Sequence, residues 1–80
     1  VNARYPRIVQ VFGQPTNNGY DDTTDAKWSI KSPHGTVLLY NYKNGKAYVG
    51  INGTPTEDIT YWQIRAETLV AAEWVQDALT

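Results

Sequence analysis

The stretch Trp28-Ser29-Ile30-Lys31-Ser32-Pro33-His34-Gly35-Thr36-Val37-Leu38-Leu39-Tyr40-Asn41-Tyr42-Lys43-Asn44-Gly45 decides the fold. From Ala26, Trp28 and Ile30 alternate with Lys27, Ser29 and Lys31, the period-two pattern of a half-buried strand. Pro33 then stands where a type I turn favours proline, and Gly35 where the following bulge needs a left-handed residue. A three-residue loop of this kind pairs Ser32 with Thr36, Ile30 with Leu38 and Trp28 with Tyr40, which predicts Leu38, Tyr40 and Tyr42 on the core face. Further on, Asn44-Gly45 suits the positive φ angles of a type I′ hairpin. A two-residue loop there pairs Tyr42 with Ala47, Tyr40 with Val49 and Leu38 with Ile51. Two turns read separately give one apolar face, so a three-stranded antiparallel meander is expected.

Outward from this stretch, Tyr5 to Phe12 is predicted as a short helix, with Pro6 in its first turn, Gly13 just past its end and Pro15 preventing continuation. Gln14 to Thr24 reads as a loop carrying the Asn17-Asn18-Gly19 turn signal. Asn52 to Thr60 is a polar loop, and Tyr61 to Arg65 alternates again as a fourth strand. Thr68 to Leu79 is helical: Gln76, Thr80, Glu73 and Asp77 form one narrow polar stripe, flanked by Leu69, Ala72, Val75 and Leu79 on one side and by Val70 and Trp74 on the other. The expected architecture is a single α+β domain over residues 1–80: an antiparallel sheet, made of the three-stranded meander plus a fourth strand, with a short N-terminal helix and a C-terminal helix. The expected core is Trp28, Ile30, Leu38, Tyr40, Trp62, Ile64, Leu69 and Val75.

Eighty residues allow one small domain, whose core leaves roughly 3–5 kcal/mol of net stability. The absence of cysteine excludes disulfide frameworks, thiolate metal sites and cysteine nucleophiles. A net charge of −1 lacks the strong single-sign field of a polyanion binder or an acidic DNA mimic. No run of 18 apolar residues and no signal-peptide pattern is present, so a soluble, intracellular protein with no membrane association is expected; Val1 fits removal of a start residue or trimming.

Candidate chemistry is sparse. His34, the single histidine, falls at a predicted hairpin tip with no orienting partner fixed near it by spacing, and reads as a turn residue. Asp21, Asp22 and Asp25 could offer oxygens to a cation but lack the ligand spacing of an EF-hand, and read as a solvated loop. The six glycines are too dispersed for a phosphate cradle, and Asn52-Gly53-Thr54 matches a glycosylation acceptor without a secretion signal beside it. No catalytic residue, cofactor or metal site is therefore expected. What the register leaves is surface. Val37, Leu39, Tyr48 and Tyr61 are predicted on the outer sheet face, rimmed by Lys27, Lys31 and Arg65, an aromatic centre with a charged rim of the kind protein interfaces use. The rival arrangement has the N-terminal helix covering that face. Val70 and Trp74 form a second candidate contact. Aromatics interleaved with Lys and Arg also admit single-stranded nucleic acid, although the seven cations make no stripe along the chain. In the last helix Glu67, Glu73 and Asp77 lack basic neighbours, which suits a basic surface on a partner or neutralisation by Arg4 or Arg7.

The motifs Phe12-Gly13-Gln14-Pro15-Thr16, Trp28-Ser29-Ile30, Pro33-His34-Gly35, Leu39-Tyr40-Asn41-Tyr42-Lys43 and Ile59-Thr60-Tyr61-Trp62-Gln63-Ile64 resemble the pattern of small accessory proteins encoded by tailed bacteriophages. The likeness spans residues 12–64, with the closing helix a looser match. The resemblance implies a phage or prophage origin and action in the host bacterial cytoplasm, but carries no established activity or catalytic residues. Many such proteins bind a host or competitor protein. The expected function is a non-enzymatic protein that binds and modulates, as an inhibitor for example, a host bacterial protein; the alternatives are a structural role as a homo-oligomer or virion component, and single-stranded nucleic-acid binding.

Overall fold

The structure is a computed structural model that describes the backbone of residues 1–80 and the side chains of residues 1–16 and 22–80. Pro6 and Gly13 act as the sequence suggests. Helix α1 spans Tyr5–Phe12 and stops at Gly13, whose φ of 83° only glycine adopts freely. Strand β1 (Asn17–Asp21) runs antiparallel to β2 (Thr24–Ser32), so the expected loop over 14–24 contains the edge of the sheet. Strand β3 (Gly35–Tyr40) and strand β4 (Gln63–Ala66) complete it in the order β1-β2-β3-β4, every neighbour antiparallel.

The first hairpin forms in a different register from the expected one. Ser32 pairs with Gly35 across a two-residue loop, so Ile30 faces Val37 and Trp28 faces Leu39. Ser32 closes this loop with its hydroxyl, which accepts from the His34 N–H at 3.1 Å and donates to the Gly35 carbonyl at 2.6 Å. A slip of one residue moves every side chain of β3 to the other face. Val37 and Leu39 are therefore fully buried, while Leu38 and Tyr40 lie on the outer face and Tyr42 is exposed.

The second expected hairpin does not form. Gly45 has an extended backbone and precedes a single helical turn, α2 (Lys46–Val49), where a third meander strand was expected over 47–51. Of the four strands expected, three are present, and the last, β4, takes the place beside β3. The cause is the use made of Asn41. Its buried Oδ1 accepts from the Asp25 and Ala26 N–H groups at 2.8 and 3.0 Å, and its Nδ2 donates to Asp25 Oδ2 and Asn44 Oδ1. Asp25 Oδ1 in turn accepts from the Ala47 N–H at 2.9 Å, drawing α2 against the end of β2. A Cβ at position 45 would overlap Asp25 Oδ2, so Gly45 serves close approach and not a type I′ turn. The left-handed residue of this loop is Lys43, at φ 59°.

Helix α3 (Leu69–Leu79) starts at Thr68, whose hydroxyl accepts from the Ala71 N–H at 3.1 Å. It buries Ala71, Val75 and Leu79 against β2, β3 and β4; Leu69, expected inside, is 76% exposed in the first turn. Helix α1 packs on the same side, with Ile8 fully buried. The centre is aromatic: Trp28 and Trp62 meet edge to face at 5.2 Å, and Tyr5 stands 5.8 and 6.3 Å from them. Each indole N–H finds a carbonyl of the N-terminal segment, Trp28 Nε1 donating to Gly13 and Trp62 Nε1 to Ala3. Residues 1–3 also bond along 60–62, through Ala3 N to the Thr60 carbonyl and Trp62 N to the Val1 carbonyl. No buried side-chain nitrogen or oxygen among the described residues lacks a partner.

Candidate functional site

Both helices lie on the Trp28 and Trp62 side, so the second face of the sheet is uncovered and the arrangement with α1 across it is excluded. Alternation in β2 puts Lys27, Ser29 and Lys31 on this outer face, opposite Ala26, Trp28 and Ile30. Cross-strand pairing then sets Lys27 beside Tyr40 and Gln63, and Ser29 beside Leu38 and Arg65. Lys27, Lys31 and Arg65 are thus gathered on one surface, as expected, and no ion pair engages them among the described residues. Of the nearby carboxylates, Asp25 holds Asn41 and α2, whereas Glu67 stays on this surface, lining a depression with Thr36, Leu38 and Arg65 at the hairpin end.

The centre of this surface differs from the expected one. Val37 and Leu39 are withdrawn from it as core residues, because the two-residue turn inverts β3. Leu38 and Tyr40 take their place. Beyond β3 the chain continues to Tyr42, and Lys43 is fixed by its N–H bond to the Thr23 carbonyl at 2.8 Å. The Lys43 ammonium stands 5.1 Å from the Tyr42 ring centroid and 5.0 Å from that of Tyr48, within cation–π range of both. Tyr48 is exposed on α2, off the sheet but joined to its face through Lys43. Tyr61 is also exposed, just before the buried Trp62; its carbonyl receives the Asn44 amide. Lys27, Tyr40, Tyr42 and Arg65 line one open depression of about 200 Å³. Leu38, Tyr40, Tyr42 and Lys43 are the residues sequence reasoning missed here, because the burial of Asn41 that orients them shows only in the structure.

Val70 and Trp74 lie on the opposite side of the molecule. They are 52% and 37% exposed, successive on one face of α3, and the Trp74 ring stands 6.4 Å from that of Phe12. Leu69 extends this apolar strip toward the helix start, while Glu73 and Asp77 are exposed on the same helix. The two candidate contacts are therefore separate surfaces: cationic and tyrosine-rich on the sheet, apolar and acidic on α3.

The remaining groups have structural settings. His34 is exposed at the hairpin tip, its carbonyl accepting from the Thr68 hydroxyl at 3.3 Å. Asp25 is not part of a solvated acidic loop, Asp22 is exposed in the β1–β2 turn, and the side chain of Asp21 lies outside the described residues. Among the described residues no three His, Asp or Glu side chains converge to hold a metal ion. Burial lowers the Val1 amine below its ordinary pKa, although it donates to the Trp62 carbonyl at 2.7 Å. No helix is long and apolar enough to cross a membrane among the described residues. The fold and its surfaces define an α+β domain with α1 and α3 on one side of an antiparallel sheet. Compared with known proteins, the chain matches no family model, no curated protein and no solved structure.

Proposed function

We propose that this chain is a small, non-enzymatic, phage-type protein that binds and modulates a host bacterial protein, acting in the host cytoplasm by covering a working surface of its partner. The observation that carries this reading is the α3 flank. Leu69, Val70 and Trp74 present an apolar strip that Phe12 of α1 covers only in part, at Trp74, beside the carboxylates of Glu73 and Asp77. Large apolar side chains in contact on so small a surface cost solubility unless a partner uses them, and a half-exposed Trp among acidic residues suits an apolar pocket with a basic rim. Asp77 in the last turn opposes the helix dipole, a local penalty that a cationic partner relieves.

The test is capture from bacterial lysate on the immobilised protein, compared with Val70→Asp and Trp74→Ser variants, which alter exposed side chains. A protein retained by the parent chain is expected to be lost by both variants, with affinity falling by at least about tenfold. Equal retention by all three would remove the α3 flank from the reading. A mass that rises with concentration, and is monomeric in both variants, would make a second copy the occupant and the role structural.

A further inference from the structure

We propose that the uncovered sheet face binds single-stranded nucleic acid, with bases stacked on Tyr40, Tyr42 and Tyr48 and phosphates held by Lys27, Lys31, Lys43 and Arg65. This lies on the side of the sheet away from α3 and is independent of the reading above. The first ground is charge separation. Four of the seven cations stand on this surface, without ion-pair partners among the described residues. Glu73 and Asp77 sit on the far side and Asp25 is spent on the Asn41 network, while Glu67 shares the surface beside Arg65 and is outnumbered there by the four cations. An overall charge of −1 thus hides a face that is locally positive.

The second ground is the aromatic arrangement. Buried Asn41 separates Tyr40 from Tyr42, and both line one depression with Lys27 and Arg65; a two-residue step of extended chain spans about 6.6 Å. That is about twice the stacked rise of a nucleic-acid strand, so each ring can receive one unstacked base. Lys43 continues the row: held at φ 59°, it lies between the Tyr42 and Tyr48 rings and places its ammonium where a backbone phosphate would pass. A non-glycine residue kept in the left-handed region marks a position that the surrounding structure over-determines, and here Asn41, Asp25 and Thr23 do so. An acidic peptide would satisfy the cations but leave three rings without a stacking partner. A duplex would hide the faces of its bases. These differences favour an open single strand.

The experiment is fluorescence anisotropy of labelled oligothymidylate and oligouridylate of about 12 nucleotides, titrated with the intact protein. Saturable binding is expected at low salt, falling with a log–log slope of about −2 to −3 as salt rises, with a duplex of the same length bound more weakly. Tyr42→Ala and Arg65→Glu should each weaken binding by about tenfold or more. Lys43→Asn keeps a side chain that tolerates positive φ and should weaken binding with the fold intact, as read by the near-ultraviolet signal of the buried tryptophans. No binding by the intact protein at low salt overturns the proposal. So does an oligoglutamate that competes as well as the oligonucleotide while Tyr42→Ala has no effect, which would assign the face to an acidic protein. Val70 and Trp74 are unaltered in these variants, so failure here leaves the lysate-capture result standing.

Discussion

Asn41 decides which way a whole strand faces. Residues 37–42 read Val-Leu-Leu-Tyr-Asn-Tyr, apolar on both parities, and hydrophobicity alone favours the large set Leu38, Tyr40 and Tyr42. The fold instead buries Val37, Leu39 and a polar asparagine, because that asparagine can satisfy two backbone N–H groups of β2 and fasten the loop beyond. Asn41→Leu keeps the branched shape, with the same number of heavy atoms, but leaves the Asp25 and Ala26 N–H groups without their acceptor. It is expected to lower unfolding stability by about 2–4 kcal/mol in urea titrations. Gly45→Ala should be similarly damaging, since Asp25 would have to release either Asn41 or α2. The sequence shows the turn residues Pro33 and Gly35 but not that Ser32 would close the shorter loop. A hydroxyl bonding its own turn has no spacing signature, so the inversion of β3, and with it the identity of the candidate surface residues, was hidden.

At the scale of elements, α1 and α3 were legible, whereas α2 and the sheet edge were not. Pro6 and Gly13 bound α1 at the expected residues, and Thr68 caps α3 as its position suggests. Thr68→Ala should cost about 1 kcal/mol, with Thr68→Ser close to the parent, measured by thermal unfolding at fixed pH. The α3 burial pattern was readable only in part: Val75 and Leu79 are inside, but Ala71 is buried and Leu69 is not, because the buried stripe is rotated by roughly 50° round the helix axis from the expected one. Asn17-Asn18-Gly19 carries turn chemistry yet lies in β1, where backbone pairing with β2 outweighs propensity. Asn44-Gly45 shows the opposite override. Its hairpin preference yields to the bonds that Asn44 makes with Asn41 and the Tyr61 carbonyl.

For the whole molecule, one-sided layering follows from where the tryptophans point. Trp28 and Trp62 share a face, and their indole N–H groups bind the two sides of α1, through Gly13 after it and Ala3 before it. Trp62→Phe retains most of the buried ring but leaves the Ala3 carbonyl without that donor; a loss of about 1–2 kcal/mol is expected, with faster hydrogen exchange at the Ala3 and Trp62 amides than elsewhere in the sheet. The expected one-face placement of both helices holds, and it frees the opposite face for contact. The same aromatic centre has an optical consequence. Two indoles locked edge to face at 5.2 Å form a coupled chromophore that exists only while the chain is folded, whereas Trp74 is a solitary emitter open to water. Iodide quenching should reach Trp74 alone, so a bound partner and an unfolding core can be read as separate colours of one emission spectrum, without any label attached.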